Sequence, residues 1–421
     1  MSLQSINLYN QLAKHRLFRK TINFDLKRIK LVLKKLGNPQ NNLSNVINII
    51  GSDGKYSLLT SLKYFIEENK QTTSAYISPS LKDISERFWI GDRYLTHKEI
   101  KKSIKIIEKL KVRLTIFEVL TVIFIINAAS RNNDFNLVEA GALFAKDSTN
   151  VFNFPLVQAV SNINLQHLNF LKKKTLDEVV LQKVGYLSPF TKVYIGKQKS
   201  KTLKKIKFCL KKNNSEKIYS NKWRLLKYKN SYFYKDKKTS IRLNNKNIHS
   251  IGLLENLCMA IKIALDLKIS KKIIEKAIPK IFFEGRIQYL KKGKIKDLLN
   301  KKELVVVDGC SSQISAKNLA DHLKTIKGPK FGIWGMIKNK NPDLFIQQFK
   351  NIFEKIIVIP IEGEANALPT SLLIKIARKS NLNVENSNDI YSALKKISNK
   401  KNKTIVFFGS FYLAGNVLSK N

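Results

Sequence analysis

The chain has 421 residues, which sets a prior of two to three domains, and at 43% hydrophobic and 10% aromatic it is no disordered polymer. Lysine and arginine together number 77 against 31 acidic residues, a formal charge of +46, yet only 11 of the 77 are arginine. Selective phosphate grips favour the planar arginine fork, so part of the lysine excess reads as a genome-wide composition bias.

Met1-Ser2-Leu3-Gln4 lacks a basic start followed by an apolar stretch, so no signal peptide is expected. From about residue 20 to 195, strand-like runs alternate with helical periods. Val46-Ile47-Asn48-Ile49-Ile50 runs into a glycine turn, and Leu58 to Glu68 then has helix spacing. Leu114 to Ala129 is the longest apolar run at 16 residues, interrupted by Glu118 and Asn127. A membrane span needs about 20 residues, so it reads as a buried helix and the protein as cytoplasmic. Ala159 to Ile163 is a further strand-like run. This alternation argues for a mostly parallel sheet covered by helices.

Residues 197–238 carry 16 Lys or Arg against only Glu216 and Asp236, with Tyr219, Trp223, Tyr228, Tyr232, Phe233 and Tyr234 interleaved. Trp223 to Tyr228 and Ser231 to Tyr234 read as antiparallel strands, and Leu253 to Leu267 as a helix. After the lysine-rich stretch 291–302, Leu304 to Asp308, Phe331 to Trp334, Ile356 to Pro360 and Thr404 to Phe408 are apolar runs with helical segments between them. They read as a second doubly wound domain. Cys209, Cys258 and Cys310 form no C-x-x-C pair, which excludes a disulfide framework and a cysteine zinc site.

The most informative segment is Gly51-Ser52-Asp53-Gly54-Lys55-Tyr56-Ser57, between an expected strand and an expected helix. Glycines let backbone amides approach a phosphate, and a helix N-terminus favours an anion. Lys55 would neutralise the outer phosphates and Ser57 would face a magnesium ion. The strict pattern G-x-x-x-x-G-K-[ST] fails, because Ile49 stands at the first glycine and Tyr56 follows the lysine. Taken alone, the loop reads more readily as an ordinary turn.

Its company gives the loop meaning. Gly51 to Ser57 resembles the G-T-N-G-K-G-S loop of the folylpolyglutamate synthase/dihydrofolate synthase family, relatives of the Mur peptide ligases. Leu36-Gly37-Asn38-Pro39-Gln40 resembles that family's entry sequence, and Ser78-Pro79-Ser80-Leu81 with Glu86-Arg87 its S-P-H-L…E-R-I segment. Thr115-Ile116-Phe117-Glu118 is similar to T-F-F-E. Val138-Glu139-Ala140-Gly141 with Asp147-Ser148-Thr149-Asn150 is similar to E-x-G-L-G-G-R-x-D-A-T-N. Gly409-Ser410-Phe411-Tyr412-Leu413-Ala414-Gly415 is similar to G-S-L-Y-L-x-G. The matches run in order over nearly the whole chain.

The resemblance implies an α/β, two-domain, Mur-ligase-like fold. Residues 1–295 would form a P-loop-type ATPase domain, with a mostly parallel sheet and a small antiparallel section. Residues 296–421 would form a Rossmann-like glutamate ligase domain. It implies ATP-dependent addition of L-glutamate to dihydropteroate or a reduced folate in folate biosynthesis, with ATP and Mg²⁺ required. The partners would be these small molecules, with no membrane or nucleic-acid partner, and the protein a monomer. Magnesium ligands would fall on Ser78, Glu139 and His167, and a carbamylated lysine on Lys183. ATP contacts would fall on the loop 51–57 and on Asn256, Arg286 and Asp308; Lys55, Lys183 and His167 would be the catalytic set. Each residue has a plainer reading by itself: His167 as a structural histidine, Lys183 as one of 66 lysines, Glu139 and Asp308 as strand ends, Ser78-Pro79 as a turn.

The chain also departs from the family pattern. Asp53 stands for the loop asparagine and Tyr56 for a glycine. Ala142-Leu143-Phe144-Ala145 has lost two glycines and an arginine, Gln166 replaces the aspartate before His167, and Ser80 replaces a histidine. D-G-A-H-N-P has become Asp308-Gly309-Cys310-Ser311-Ser312-Gln313. Two alternatives to a working ligase follow: a member with weakened catalysis, or a nucleic-acid binder that uses the aromatic, basic segment 197–238.

Overall fold

The computed structural model describes residues 3–19, 23–338, 340–397 and 402–421; Met1 and Ser2, the start of the stretch that lacks signal-peptide character, lie outside them. Two sheets organise the chain. The larger has eight strands in the order Glu216–Tyr219, Lys192–Ile195, Val157–Val160, Val46–Ile50, Phe135–Glu139, Thr73–Tyr76, Phe88–Gly91 and Arg93–Tyr94. The first six are mutually parallel, and the last two add antiparallel at one edge.

Val46–Ile50 lies at the centre and is buried along its whole length. A parallel strand covered on both faces needs apolar side chains at nearly every position, which is why this run shows no alternation. One face is covered by the helices Lys55–Glu68 and Ile251–Asp266, which share a core with Leu58, Leu62, Phe65, Leu257 and Ile261. The opposite face is covered by Ile116–Ala129, buried on nearly all sides and started by a capping box. Thr115 Oγ1 accepts from the Glu118 amide, and the Glu118 carboxylate accepts from the Thr115 amide. The T-x-x-E motif is thus a helix start. Among the described residues no helix is long and apolar enough to cross a membrane.

The basic segment differs from its sequence reading. It opens with the helix Ser200–Cys209, and Glu216–Tyr219 then joins the large sheet as a parallel edge strand. Lysines on the solvent side of that helix mask a sparse apolar face made by Thr202 and Ile206, one turn apart. The expected antiparallel strands follow as Arg224–Tyr228 and Ser231–Lys235, and Ser240–Arg242 completes a three-stranded sheet. Its Trp223, Tyr234 and Ile241 are buried in the core beneath it. Two of the six interleaved aromatics are therefore core residues, unavailable for stacking on a base.

The second sheet runs Gln288–Tyr289, Leu304–Val307, Thr404–Phe408, Lys330–Trp334, Lys355–Val358 and Val384–Asn386, parallel except for its first pairing. Helices cover both faces, including Gln313–Lys324 and Thr370–Lys379 on one and Phe411–Lys420 on the other. The two sheet units meet closely. Gly415 lies so near Leu81 that a Cβ there would fall 2.0 Å from the Leu81 carbonyl oxygen. Lys82 pairs with Glu284 nearby.

In the large sheet the chain leaves Val46–Ile50 toward strands on both sides, so a crevice opens at the C-terminal ends of the central strands. Gly51, Ser78, Glu139 and Ser161 follow or end four neighbouring strands at that edge.

Candidate functional site

The loop after the central strand turns on two glycines with left-handed or extended-positive backbone, Gly51 at φ +152° and Gly54 at φ +90°. The Ser52 and Asp53 amides donate to the Asn162 carbonyl (2.8 and 3.3 Å), which pins the loop to the segment after the next strand. Gly54 caps the helix Lys55–Glu68, and the first helical bond runs from the Leu58 amide to the Gly54 carbonyl. The Lys55, Tyr56 and Ser57 amides therefore stand at the positive end of a 14-residue helix without an intrahelical acceptor.

Asn256, from the neighbouring helix, closes over this turn. Its Nδ2 donates to Ser57 Oγ at 2.9 Å, and Ser57 Oγ donates to the Gly54 carbonyl at 3.0 Å. A Cβ on Gly54 would lie 2.4 Å from Asn256 Nδ2, so only glycine fits. Tyr56 has a different setting. Its ring lines a cavity of about 180 Å³ with Tyr64, Trp89, Tyr94 and Phe282, and burial pushes its phenol far up. What Tyr56 offers the loop is its backbone amide.

Lys55 Nζ lies 3.6 Å from Glu139 Oε1, and both side chains are largely buried. Burial raises the Glu139 carboxyl, opposed first by Lys55 and then by the Ser78 amide, Arg286 and Arg87. Ser78 meets Glu139 through its amide (3.3 Å to Oε2), and its Oγ accepts from Arg87 at 3.0 Å. Arg87 is buried too and also donates to the Tyr9 hydroxyl at 2.8 Å.

Lys183 is fully buried on the other side of the loop. Its Nζ donates to the carbonyls of Gly51 (2.8 Å) and Ala142 (2.7 Å). Burial lowers its pKa to about 7, helped by Lys55 and opposed by Asp147 and Asp53. His167 sits at φ +60° with its ring 6.2 Å from that of Phe170, and makes no side-chain hydrogen bond among the described residues. Burial holds it well below the usual histidine range, reinforced by Lys183, Lys340 and Lys55. The ring is thus neutral, with a lone pair free for a ligand.

The second sheet unit contributes Arg286, whose guanidinium stands 4.7 Å from the Phe411 ring centre and within electrostatic reach of Glu139 and Asp308. Asp308 is buried and accepts from the Ile287 and Cys310 amides, both at 2.7 Å. Burial raises its carboxyl against the pull of Arg286. Asp53 turns to Asn164, Gln166 and Ser312.

Lys55, Ser78, Glu139, Lys183, His167 and Arg286 therefore converge, Asn256 braces the loop, and Asp308 braces the segment that carries Arg286. Sequence reasoning misses Lys340, whose charge is felt by Lys183 and His167 and whose own ammonium is lowered by burial. It also assigns no role to Arg87 or Asp147, although both stand in the quoted motifs. Lys340 carries no sequence signal among 66 lysines, since only the docking of the two units brings it to the loop.

Magnesium takes oxygen ligands, holds several waters and is bound by one or two carboxylates plus phosphate oxygens. Glu139 provides a buried carboxylate, Ser78 a hydroxyl oriented by Arg87, and His167 an unengaged imidazole. No group of three or more His, Cys, Asp or Glu side chains is placed to hold a metal among the described residues. The donor set thus suits an ion completed by water and phosphate, not an all-protein cage.

No family model matches the chain. A dihydrofolate synthase/folylpolyglutamate synthase of Buchnera aphidicola subsp. Schizaphis graminum is 24% identical over 415 residues, covering 96% of this chain and 94% of that protein. The dihydrofolate synthetase of Saccharomyces cerevisiae is 23% identical over 434 residues, covering 94% and 97%. Among solved structures, E. coli FolC in complex with DHPP and ADP superposes with a TM-score of 0.85 at 18% identity, covering 99% of this chain and 97% of that one. A bifunctional folylpolyglutamate synthase/dihydrofolate synthase with Mn, AMPPNP and L-glutamate bound gives a TM-score of 0.84 at 17% identity, covering 99% and 97%. The folds coincide over the full length of both sheet units.

Proposed function

We infer, on the premise that the chain belongs to the dihydrofolate synthase/folylpolyglutamate synthase family, that it is an ATP-dependent ligase that adds L-glutamate to the carboxylate of dihydropteroate or a reduced folate. The observation that carries the site assignment is the buried Lys55–Glu139 pair, at 3.6 Å, at the mouth of the phosphate loop and between the two sheet units.

In this reading the Lys55, Tyr56 and Ser57 amides and the Lys55 ammonium hold the outer phosphates, while Arg286 and Lys340 bring positive charge from the second unit. The substrate carboxylate attacks the γ-phosphorus in line and displaces ADP, giving an acyl phosphate. The glutamate amine then attacks the acyl carbon, phosphate leaves, and the amine proton goes to solvent or a carboxylate base. Positioning and charge neutralisation supply most of the acceleration. Ser78, Glu139 and His167 would hold magnesium, which supplies charge neutralisation at the phosphates. Lys55 would then exchange its hold on Glu139 for the phosphates.

Lys183 fits the carbamylated role through its depressed pKa: a neutral amine attacks carbon dioxide, and the carbamate carries the negative charge that an ammonium lacks. We place the division of labour at residues 1–295 for ATP and 296–421 for the glutamate ligase unit, except that Arg286 and the edge strand Gln288–Tyr289, at the end of the first segment, go with the second sheet unit; we place the protein in the cytoplasm as a monomer.

The test is phosphate release from ATP and magnesium, with L-glutamate and either dihydropteroate or tetrahydrofolate, using Lys55→Ala as the control. Release should require glutamate and one pterin substrate and vanish in the variant. Full activity of a folded Lys55→Ala protein would overturn the phosphate-loop assignment.

A further inference from the structure

Two of the departures from the family pattern touch each other. Position 53 carries a carboxylate where the pattern has an amide, and position 166 carries an amide where the pattern has a carboxylate. Gln166 Nε2 donates to Asp53 Oδ2 at 2.9 Å. This chain therefore carries one carboxylate and one amide at the two positions, as the pattern does, but with the carboxylate in the loop 51–57 and the amide before His167.

The new location has a consequence across the cleft. Asn164 Nδ2 joins Gln166 on Asp53 Oδ2 at 2.6 Å, and Ser312 Oγ lies 3.1 Å from both carboxylate oxygens. Ser312 belongs to the second sheet unit, where it is the N-cap of Gln313–Lys324 and accepts from the Ser315 amide at 3.1 Å. The Asp53 charge thus stands one hydrogen bond from the positive end of a 12-residue helix, the favourable side of its dipole. Lys340, from the same unit, feels the attraction of Asp53. A carboxylate kept at position 166 could not make the Ser312 bond from the loop itself.

We propose that Asp53 is a positioning residue: paired with Gln166, it latches the Ser312 cap of the second unit onto the phosphate loop and holds the cleft closed around Lys55, Arg286 and Lys340. The latch rests on the proposed ligase reading only for what the cleft encloses, and its own test needs no substrate. An amide at 53 could still accept from Asn164 and Gln166 through Oδ1, but it would present an N–H and no charge to Ser312 Oγ and to the helix behind it, which weakens the Ser312 bond. A carboxylate at 166 would face Asp53 at hydrogen-bond distance. Making both changes restores one carboxylate and one amide.

Hydrogen exchange of the ligand-free full chain, read over residues 311–316 and 51–54, tests this on Asp53→Asn, Gln166→Asp and the double variant. Each single change should accelerate exchange at 311–316 by about tenfold or more, and the double variant should lose at least about tenfold less than the product of the singles. Ser312→Ala, which leaves the loop's own residues intact, should open 311–316 to the same degree and raise KM for ATP or glutamate more than it lowers kcat. Additive effects in the double variant, or wild-type exchange at 311–316 in folded Asp53→Asn or Ser312→Ala, would overturn the latch. Ligase activity lost with normal exchange would instead bear on the functional reading alone.

Discussion

The Lys183 ammonium donates to the carbonyl oxygen of Gly51 at 2.8 Å, so the lysine that sits 132 positions downstream holds the first residue of the loop 51–57. The same buried setting that makes the bond depresses the pKa to about 7. With its pKa lowered by burial from 10.5 to about 7, Lys183 is mostly protonated below that pH and increasingly neutral above it.

Carbamylation should follow that titration. With ¹³C-labelled carbon dioxide, a carbamate resonance should appear in wild-type protein and grow between about pH 6 and pH 8. It should be missing in Lys183→Arg, which stays charged. A wild-type sample at the upper pH with no such signal would remove Lys183 from the metal-holding role.

Gly54 and Asn256 form a matched pair. Gly54→Ala must place a Cβ at φ +90° against Asn256 Nδ2, 2.4 Å away. We expect a stability loss of about 1–3 kcal/mol and at least about tenfold weaker ADP binding. Asn256→Ala removes one hydrogen bond from Ser57 and should cost about 1 kcal/mol. Calorimetric titration with ADP, alongside thermal melting, separates the two; equal ADP affinity in both variants and wild type would contradict the assignment.

Arg87 orients Ser78 and is itself tied to Tyr9. Arg87→Lys keeps a charge but loses the planar fork, so the magnesium concentration for half-maximal activity should rise about threefold to tenfold. His167→Ala should raise it as well. An unchanged magnesium titration in both folded variants would count against metal binding between Ser78, Glu139 and His167.

Acid should weaken the junction between the units. His322 Nε2 lies 2.7 Å from the Tyr289 hydroxyl, and its ring is 4.9 Å from that of His249. Burial, with His249, lowers His322 to about 4 from an ordinary 6.5. The unfolded chain therefore binds this proton more tightly, so stability is retained above about pH 6.5 and falls as the pH drops toward 4. Melting temperatures across that range should fall more steeply for wild type than for His322→Gln; parallel curves would show that His322 does not titrate differently on folding.

Much of this arrangement is legible in the amino-acid sequence itself. Val46–Ile50 and Thr404–Phe408 occupy the very residues that their nearly continuous apolar runs suggest, because a strand buried on both faces takes apolar side chains at most positions, with Asn48 and Thr404 as the buried polar exceptions. Lys55, Ser78 and Glu139 can be picked out because strand ends carry their neighbours in fixed motifs. Gln288–Tyr289 and Val384–Asn386 escape notice because two or three partly polar residues at a sheet edge carry no periodic signal. The Ser200–Cys209 helix is concealed by lysines that need only solvent. Lys340, Ser312 and the two carbonyl partners of Lys183 cannot be read at all, since their roles arise from residues far apart in the chain.

The contact of Gly415 with the Leu81 carbonyl has a bearing on motion. A Cβ at Gly415 would fall 2.0 Å from that oxygen, so main chain rests on main chain where the two units touch. Rotamer changes cannot cushion such a seat. Any side chain larger than hydrogen at 415 would therefore force the two units apart at this point, and their spacing here is set by backbone dimensions, not by the lysine-rich surface around it.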